Sequence, residues 1–107
     1  MLITTQDQFS DYEIEKTLGI VKGNTVRARH VGKDIMAAFR NVVGGEIHEY
    51  TKLLAESREQ ALDRMVENAQ LMGADGIVCI RFITSSVMQA ASELFVYGTA
   101  VKLKKKE

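Results

Sequence analysis

The chain has no proline, no tryptophan, a single cysteine, no excess of either charge and no long apolar run. Each absence removes a class of protein. With no proline, no low-complexity linker and no internal repeat, nothing marks a boundary, so the 107 residues are read as one domain spanning 1–107. One cysteine excludes an intramolecular disulfide and fits a reducing compartment. Lys plus Arg equals Asp plus Glu at 14 each, so the basic excess that drives nucleic-acid binding is missing and no nucleic-acid partner is expected. No stretch approaches the ~20 apolar residues that span a bilayer. Met1 to Asp7 carries no basic region followed by an apolar one, so no signal peptide is expected. The chain is therefore expected to be soluble and cytoplasmic, with no membrane partner.

What is present is ordered periodicity. Tyr12, Ile14, Leu18 and Ile20 recur at period two, as in a half-buried strand. Lys22-Gly23-Asn24-Thr25 offers the residues that tolerate positive φ, which predicts a hairpin turn, with Thr25 to Arg29 returning as its partner strand. Ile35, Phe39 and Val42 share one face at helical spacing and predict a short helix ended by Gly44-Gly45. A long helix is predicted from Glu46 to Met72, with Glu46 and Glu49 at its positive end. Its apolar stripe is read as Ile47, Leu54, Ala61, Met65 and Met72, flanked by Tyr50 and Ala69. Gly73 stops it. Ile77 to Phe82 is almost continuously apolar, as in a central strand covered on both faces. Thr84-Ser85-Ser86 then reads as a polar connection, and Glu93 to Lys104 as the last strand. The fold class is α+β: one long helix and a short one packed on a small, mostly antiparallel sheet.

Leu18-Gly19-Ile20-Val21-Lys22-Gly23, the Gly44-Gly45 pair and Arg58-Glu59-Gln60-Ala61-Leu62 form an ordered set. It continues through Gly73-Ala74-Asp75-Gly76-Ile77-Val78, Arg81-Phe82 and Tyr97-Gly98-Thr99-Ala100-Val101. Together these resemble the YbjQ family of small bacterial and archaeal proteins, which carries a heavy-metal-binding label. The resemblance runs over nearly the whole chain. It implies a dodecin-like α+β subunit that forms a ring-shaped homopentamer, so the chain's partner is itself. It implies no reaction.

The residues that could carry chemistry are few. A soft metal needs several close ligands, usually paired thiolates, and the chain offers Cys79, His30 and His48. Cys79 lies in the most apolar segment, where it is expected to be buried and unreactive. His48 is placed off the apolar stripe, and His30 follows Arg29, whose charge disfavours a nearby cation. A metal is therefore expected only where a symmetric ring gathers one residue from each subunit. Gly44-Gly45 before a helix resembles an anion cradle, but it lacks the Lys and Ser/Thr of a P-loop, and Glu46 and Glu49 occupy the helix end. Ser57, Ser85, Ser86 and Ser92 have no histidine paired to them by any motif. Glu13 and Glu15 alternate with apolar residues as on a solvated strand face, and Lys102, Lys104, Lys105 and Lys106 read as a solubilising end that blunts a strand edge.

Arg58 is the anomaly, because helical spacing puts it in the middle of the assigned apolar stripe. A guanidinium there needs a carboxylate, with Glu93 or a neighbouring subunit's acid as candidates, or a ligand in a pocket shared with Tyr97 and Thr99. The candidate ligand-binding set is thus Arg58, Tyr97, Thr99, Gly44 and Gly45, with no catalytic residue assigned. Two functional classes stay open: a binding module for a metal ion or small ligand at subunit interfaces, and an enzyme whose site is assembled between subunits.

Overall fold

In the computed structural model, residues 1–27, 47–88 and 91–107 are described. Four strands and one helix are found among them: β1 (Leu2–Ile3), β2 (Tyr12–Arg27), α1 (Ile47–Leu71), β3 (Gly76–Met88) and β4 (Ala91–Lys105). The strands form one sheet in the order β1-β3-β4-β2, parallel only between β1 and β3. The architecture is α+β, with α1 laid across β2 and β4 in a second layer. The expected short helix over Ile35 to Val42, the Gly44-Gly45 pair and residues Ala28 and Arg29 lie outside the described residues. Among the described residues, no helix is long and apolar enough to cross a membrane.

The expected hairpin at Lys22 to Thr25 does not form. β2 runs unbroken from Tyr12 to Arg27 and pairs with β4 throughout. Gly23 is there for a different reason: a Cβ at this position would collide with the Ala61 carbonyl oxygen and lie 2.5 Å from the Met65 nitrogen. The glycine lets the helix backbone rest directly on the strand. Around it the strand alternates as period two demands, with Val21, Gly23 and Thr25 buried under α1 while Lys22 and Asn24 face solvent.

The helix also reaches past the sheet to its rim. Arg64 Nη1 donates to the Asn24 carbonyl at 2.6 Å, and Asn68 Nδ2 donates to the Lys22 carbonyl at 2.8 Å. A four-residue step on a helix rises ~6 Å and a two-residue step on a strand ~6.8 Å, so these pairs fall into register. Asn68 meets the earlier strand residue, so α1 runs antiparallel to β2.

The buried stripe of α1 is Ser57, Ala61, Met65 and Ala69, so Ala61, Met65 and the flanking Ala69 lie where the sequence put them. Leu54 and Met72 are exposed, and so is Arg58. The stripe keeps its direction but is shorter than read, with Leu54 and Met72 beyond the covered stretch. Ser57 is buried at its near end, and its carbonyl accepts a hydrogen bond from Thr25 Oγ1 at 3.4 Å. The core is completed by Val21, Ile77, Ile80, Val96 and Ala100, with Leu18, Leu62, Val66, Ala74 and Leu94 packed at its margin.

The helix ends as expected at Gly73, whose φ is +78°. Gly73 N donates to the Gln70 carbonyl and Ala74 N to the Ala69 carbonyl, both at 3.0 Å, which is the Schellman pattern. Thr84-Ser85-Ser86 is not a connection. β3 continues through it to Met88 and pairs with β4 along the way. The segment Ile77 to Phe82 is therefore central only in part, because the N-terminal residues accompany β3 no further than Ile80.

Candidate functional site

Among the described residues, Cys79 is the non-glycine residue with a positive φ. β3 advances from Val78 to Arg81 while β4 steps back from Thr99 to Tyr97, so β3 carries one extra residue. Cys79 absorbs it with a φ of +58°, an unusual conformation for a residue with a side chain. The N-terminal segment fastens this bulge: Cys79 N donates to the Gln6 carbonyl at 2.9 Å and Ile80 N to the Thr4 carbonyl at 3.2 Å. Arg81 Nη1 donates to the carbonyls of Thr5 and Ile80 at 2.9 and 2.8 Å. The expectation of a buried Cys79 is corrected, since its side chain is half-buried rather than enclosed. An extra strand residue breaks the inward alternation, which an unbroken apolar run could not reveal.

Beyond the bulge, the sheet face opposite α1 carries a row from β4. Register places Phe95, Tyr97 and Thr99 on that face, because the alternate residues Val96 and Ala100 belong to the core beneath the helix. The Phe95 and Tyr97 rings are tilted by 34° with centroids 5.8 Å apart. Tyr97 is flanked in register by Lys22 on β2 and Arg81 on β3, and Thr99 by Ile20 and Val78. Asn24 Nδ2 donates to Glu93 Oε2 at 3.0 Å on the same face.

This arrangement separates the residues grouped from the sequence. Tyr97 and Thr99 are close neighbours on β4, but Arg58 is an exposed residue of α1 with the sheet between it and them. Glu93 bonds to Asn24 rather than to Arg58. Gly44 and Gly45 lie outside the described residues, as does His30, and the side chain of His48 is likewise not described. Among the described residues, no three His, Cys, Asp or Glu side chains cluster to hold a metal ion. Cys79 alone does not make a soft-metal site, so the described residues of a single chain do not fit a heavy metal. An open depression on the outer side of α1, lined by Lys52, Glu56, Glu59, Gln60 and Asp63, is a surface hollow rather than an enclosed pocket.

One polar cluster was missed in the sequence as chemistry and proves structural. Asp75, in the Gly73-Ala74-Asp75-Gly76 turn, accepts hydrogen bonds from Leu103 N at 3.0 Å and from Lys102 Nζ at 3.2 Å. Lys102 Nζ also reaches the Gly73 carbonyl at 3.1 Å. The backbone N–H of Leu103, and then Lys102, hold the Asp75 carboxyl below the usual carboxylate range. The turn is thereby tied to β4, and Lys102 is engaged here rather than free in a basic tail.

Comparison with known proteins gives a consistent answer. A family model described as "Putative heavy-metal-binding" matches residues 1–104. A UPF0145 protein of Methanococcus vannielii is 57% identical over 105 residues, covering 98% of this chain and all of that protein. One from Pseudothermotoga lettingae is 56% identical, covering 98% of this chain and 99% of its own length. Among solved structures, a protein of unknown function in the DUF74 family from Pediococcus pentosaceus superposes with a TM-score of 0.63. It covers 97% of this chain and 98% of its own, and at 18% identity it supports the fold alone. End-to-end matches to both the family model and the relatives leave one assignment: the chain belongs to the YbjQ family, UPF0145.

Proposed function

We propose that the protein is a cytoplasmic, non-catalytic binding module that works as a homo-oligomeric ring, pentameric as the family resemblance implies, with its ligand held between subunits. The observation that carries the assembly is the apolar surface left bare on an elongated chain. Ile20 is 78% exposed, Phe82 45% and Ile83 47%, and Phe82 and Ile83 point to opposite faces of the sheet. The radius of gyration is 17.2 Å, against about 13 Å for a compact chain of this length. A small domain drawn out in this way buries too little of itself alone and gains by covering these residues with copies.

The family's heavy-metal description directs the second half of the proposal. Since the described residues of one subunit do not supply a metal site, a metal ion or small ligand would be held by groups from several subunits brought together by symmetry. Each subunit offers the half-buried Cys79 and the Phe95–Tyr97–Thr99 row with its flanking Lys22 and Arg81. The test is light scattering combined with elemental analysis of the same sample. A mass near five subunits with less than one metal per subunit is the expected result. A monomer at micromolar concentration overturns the assembly, and one metal per subunit, lost on Cys79→Ser, overturns the shared-ligand arrangement.

A further inference from the structure

The sheet face opposite α1 sorts its aromatic and charged groups along β4. Lys22, Tyr97 and Arg81 stand side by side in register on β2, β4 and β3, with Tyr97 in the middle. Neighbouring strands lie about 4.8 Å apart, so the two cationic residues leave the sheet roughly 9.6 Å apart, one on each side of the ring. Next along β4 on this face, Phe95 stands between Asn24 and Ile83, neither of them charged. The Phe95 and Tyr97 rings, 5.8 Å apart and tilted by 34°, together offer a platform wider than one ring. On the other side of Tyr97, Thr99 adds a hydroxyl. Phe95, Tyr97 and Thr99 are half-buried, while Lys22 and Arg81 are exposed.

The positive charge on this face is uncompensated. Among the described residues, neither Lys22 nor Arg81 meets a carboxylate. Arg81 is held by the neutral carbonyls of Thr5 and Ile80, which fix the guanidinium without cancelling its charge. Both bonds use Nη1, so the rest of the fork keeps donors for another acceptor. Glu93, the carboxylate that β4 carries on this face, lies beyond Phe95 and is engaged by Asn24 Nδ2. The row therefore runs from an aromatic end to a cationic, hydroxyl-bearing one.

From this order we infer that the Phe95–Tyr97–Thr99 row binds a small aromatic anion of the mononucleotide class, its base on the two rings and its phosphate between Lys22 and Arg81. Any nucleobase has a flat face to lay on aromatic side chains. Phosphate is the anion that a guanidinium fork and an ammonium together recognise. The same two charges repel a metal cation, so the row serves a small ligand rather than a metal. The chain's zero net charge suits one phosphate group better than a polynucleotide. The inference rests on the binding-module reading, whose ligand it names, and not on the number of subunits.

Calorimetric titration of the intact protein with adenosine monophosphate, adenosine and inorganic phosphate, up to millimolar concentration, tests it. Light scattering on the same sample reports the assembly. The monophosphate is expected to bind at least about tenfold more tightly than either fragment. Tyr97→Leu removes the ring but keeps apolar bulk, and should weaken the monophosphate about tenfold while leaving phosphate binding unchanged. Lys22→Gln changes an exposed position, and should weaken it about threefold or more and flatten its salt dependence. Circular dichroism confirms that each variant keeps its fold. An assembled protein that binds the monophosphate no better than its fragments, or equally well after either substitution, overturns the site and leaves the assembly reading standing. A monomer whose monophosphate binding falls with both substitutions upholds the site and overturns the assembly reading alone.

Discussion

The two ends of the sheet follow different rules. At the end beneath α1, the core residues Met65, Ile77, Val96 and Ala100 are fully buried, and residues 1–6 and the Asp75 clamp close the margins. Past Cys79, the same two strands continue through Arg81 to Ser85 with every side chain on β3 exposed. The sequence marks the change only in part, because Phe82 and Ile83 are as apolar as Ile77 and Val78 while Arg81, Thr84 and Ser85 are polar. Burial on one chain is decided by what lies over a strand, and α1 leans on β2 rather than on β3. The covered end holds the buried core, and the open end leaves Phe82 and Ile83 in contact with solvent.

Deletion of side chains from the two ends separates these roles most sharply. Met65→Ala removes a fully buried thioether between helix and sheet and is expected to cost about 2–5 kcal/mol of subunit stability. Ile83→Ala is expected to cost a monomer within about 0.5 kcal/mol, since the side chain is half in water already. Urea unfolding of both variants under conditions that hold the protein monomeric checks the contrast. A comparable loss at both sites would mean that the open end is packed within one subunit.

A smaller loss is expected from Gly23→Ala. The new methyl meets backbone atoms of Ala61 and Met65 rather than flexible side-chain ends, so the helix must lift from β2, at about 1–3 kcal/mol. Denaturant unfolding measures it, and a loss near zero would mean that α1 does not rest directly on β2 at Gly23.

The Asp75 clamp gives the covered end a pH dependence. Its carboxyl titrates below its ordinary value of 3.8, so the unfolded state binds a proton more readily and folding is favoured while Asp75 is ionised. That contribution is present above the ordinary value and is lost as pH falls through the lowered one. Asp75→Asn should therefore reduce stability at neutral pH, and the gap from wild type should narrow below pH ~4. Thermal unfolding of both proteins at pH 7 and pH 3 measures it. A gap unchanged across that range would show that the carboxylate charge contributes nothing.

How much of this was legible depends on whether the signal was local. Gly73 was readable because a helix stop is written in a single residue's backbone freedom, and the Schellman bonds bear it out. The long helix and the α+β class followed from periodicity for the same reason. Gly23 was misread because its demand is tertiary: the helix backbone that excludes a Cβ lies about forty residues away in sequence. The extent of β3 was misread because Thr84-Ser85-Ser86 carries turn-like composition on a strand whose pairing with β4 is set by register. Of the described site residues, Tyr97 and Thr99 stay together because alternation on one strand is local, whereas the exposure of Arg58 depends on what lies over that turn of the helix.

Arg58→Ala carries the smallest expected effect and tests directly whether that turn of α1 is covered. Had Arg58 sat on the buried stripe, removing it would strand a carboxylate and cost roughly 3–5 kcal/mol. In the structure Arg58 is exposed, while Ser57 one residue earlier is 3% exposed and its carbonyl accepts from Thr25. Alanine favours helix slightly over arginine, and the lost side chain was solvated, so the change should stay within about 0.5 kcal/mol in the monomer. Ser57→Arg provides the opposing arm, because it forces a guanidinium into the contact between α1 and β2 with no water to reach. That variant should unfold at far lower denaturant or fail to accumulate. Equal, small effects at both positions would mean that α1 does not present the Ser57–Ala61–Met65–Ala69 face to the sheet, and the division into covered and open ends would fall with it.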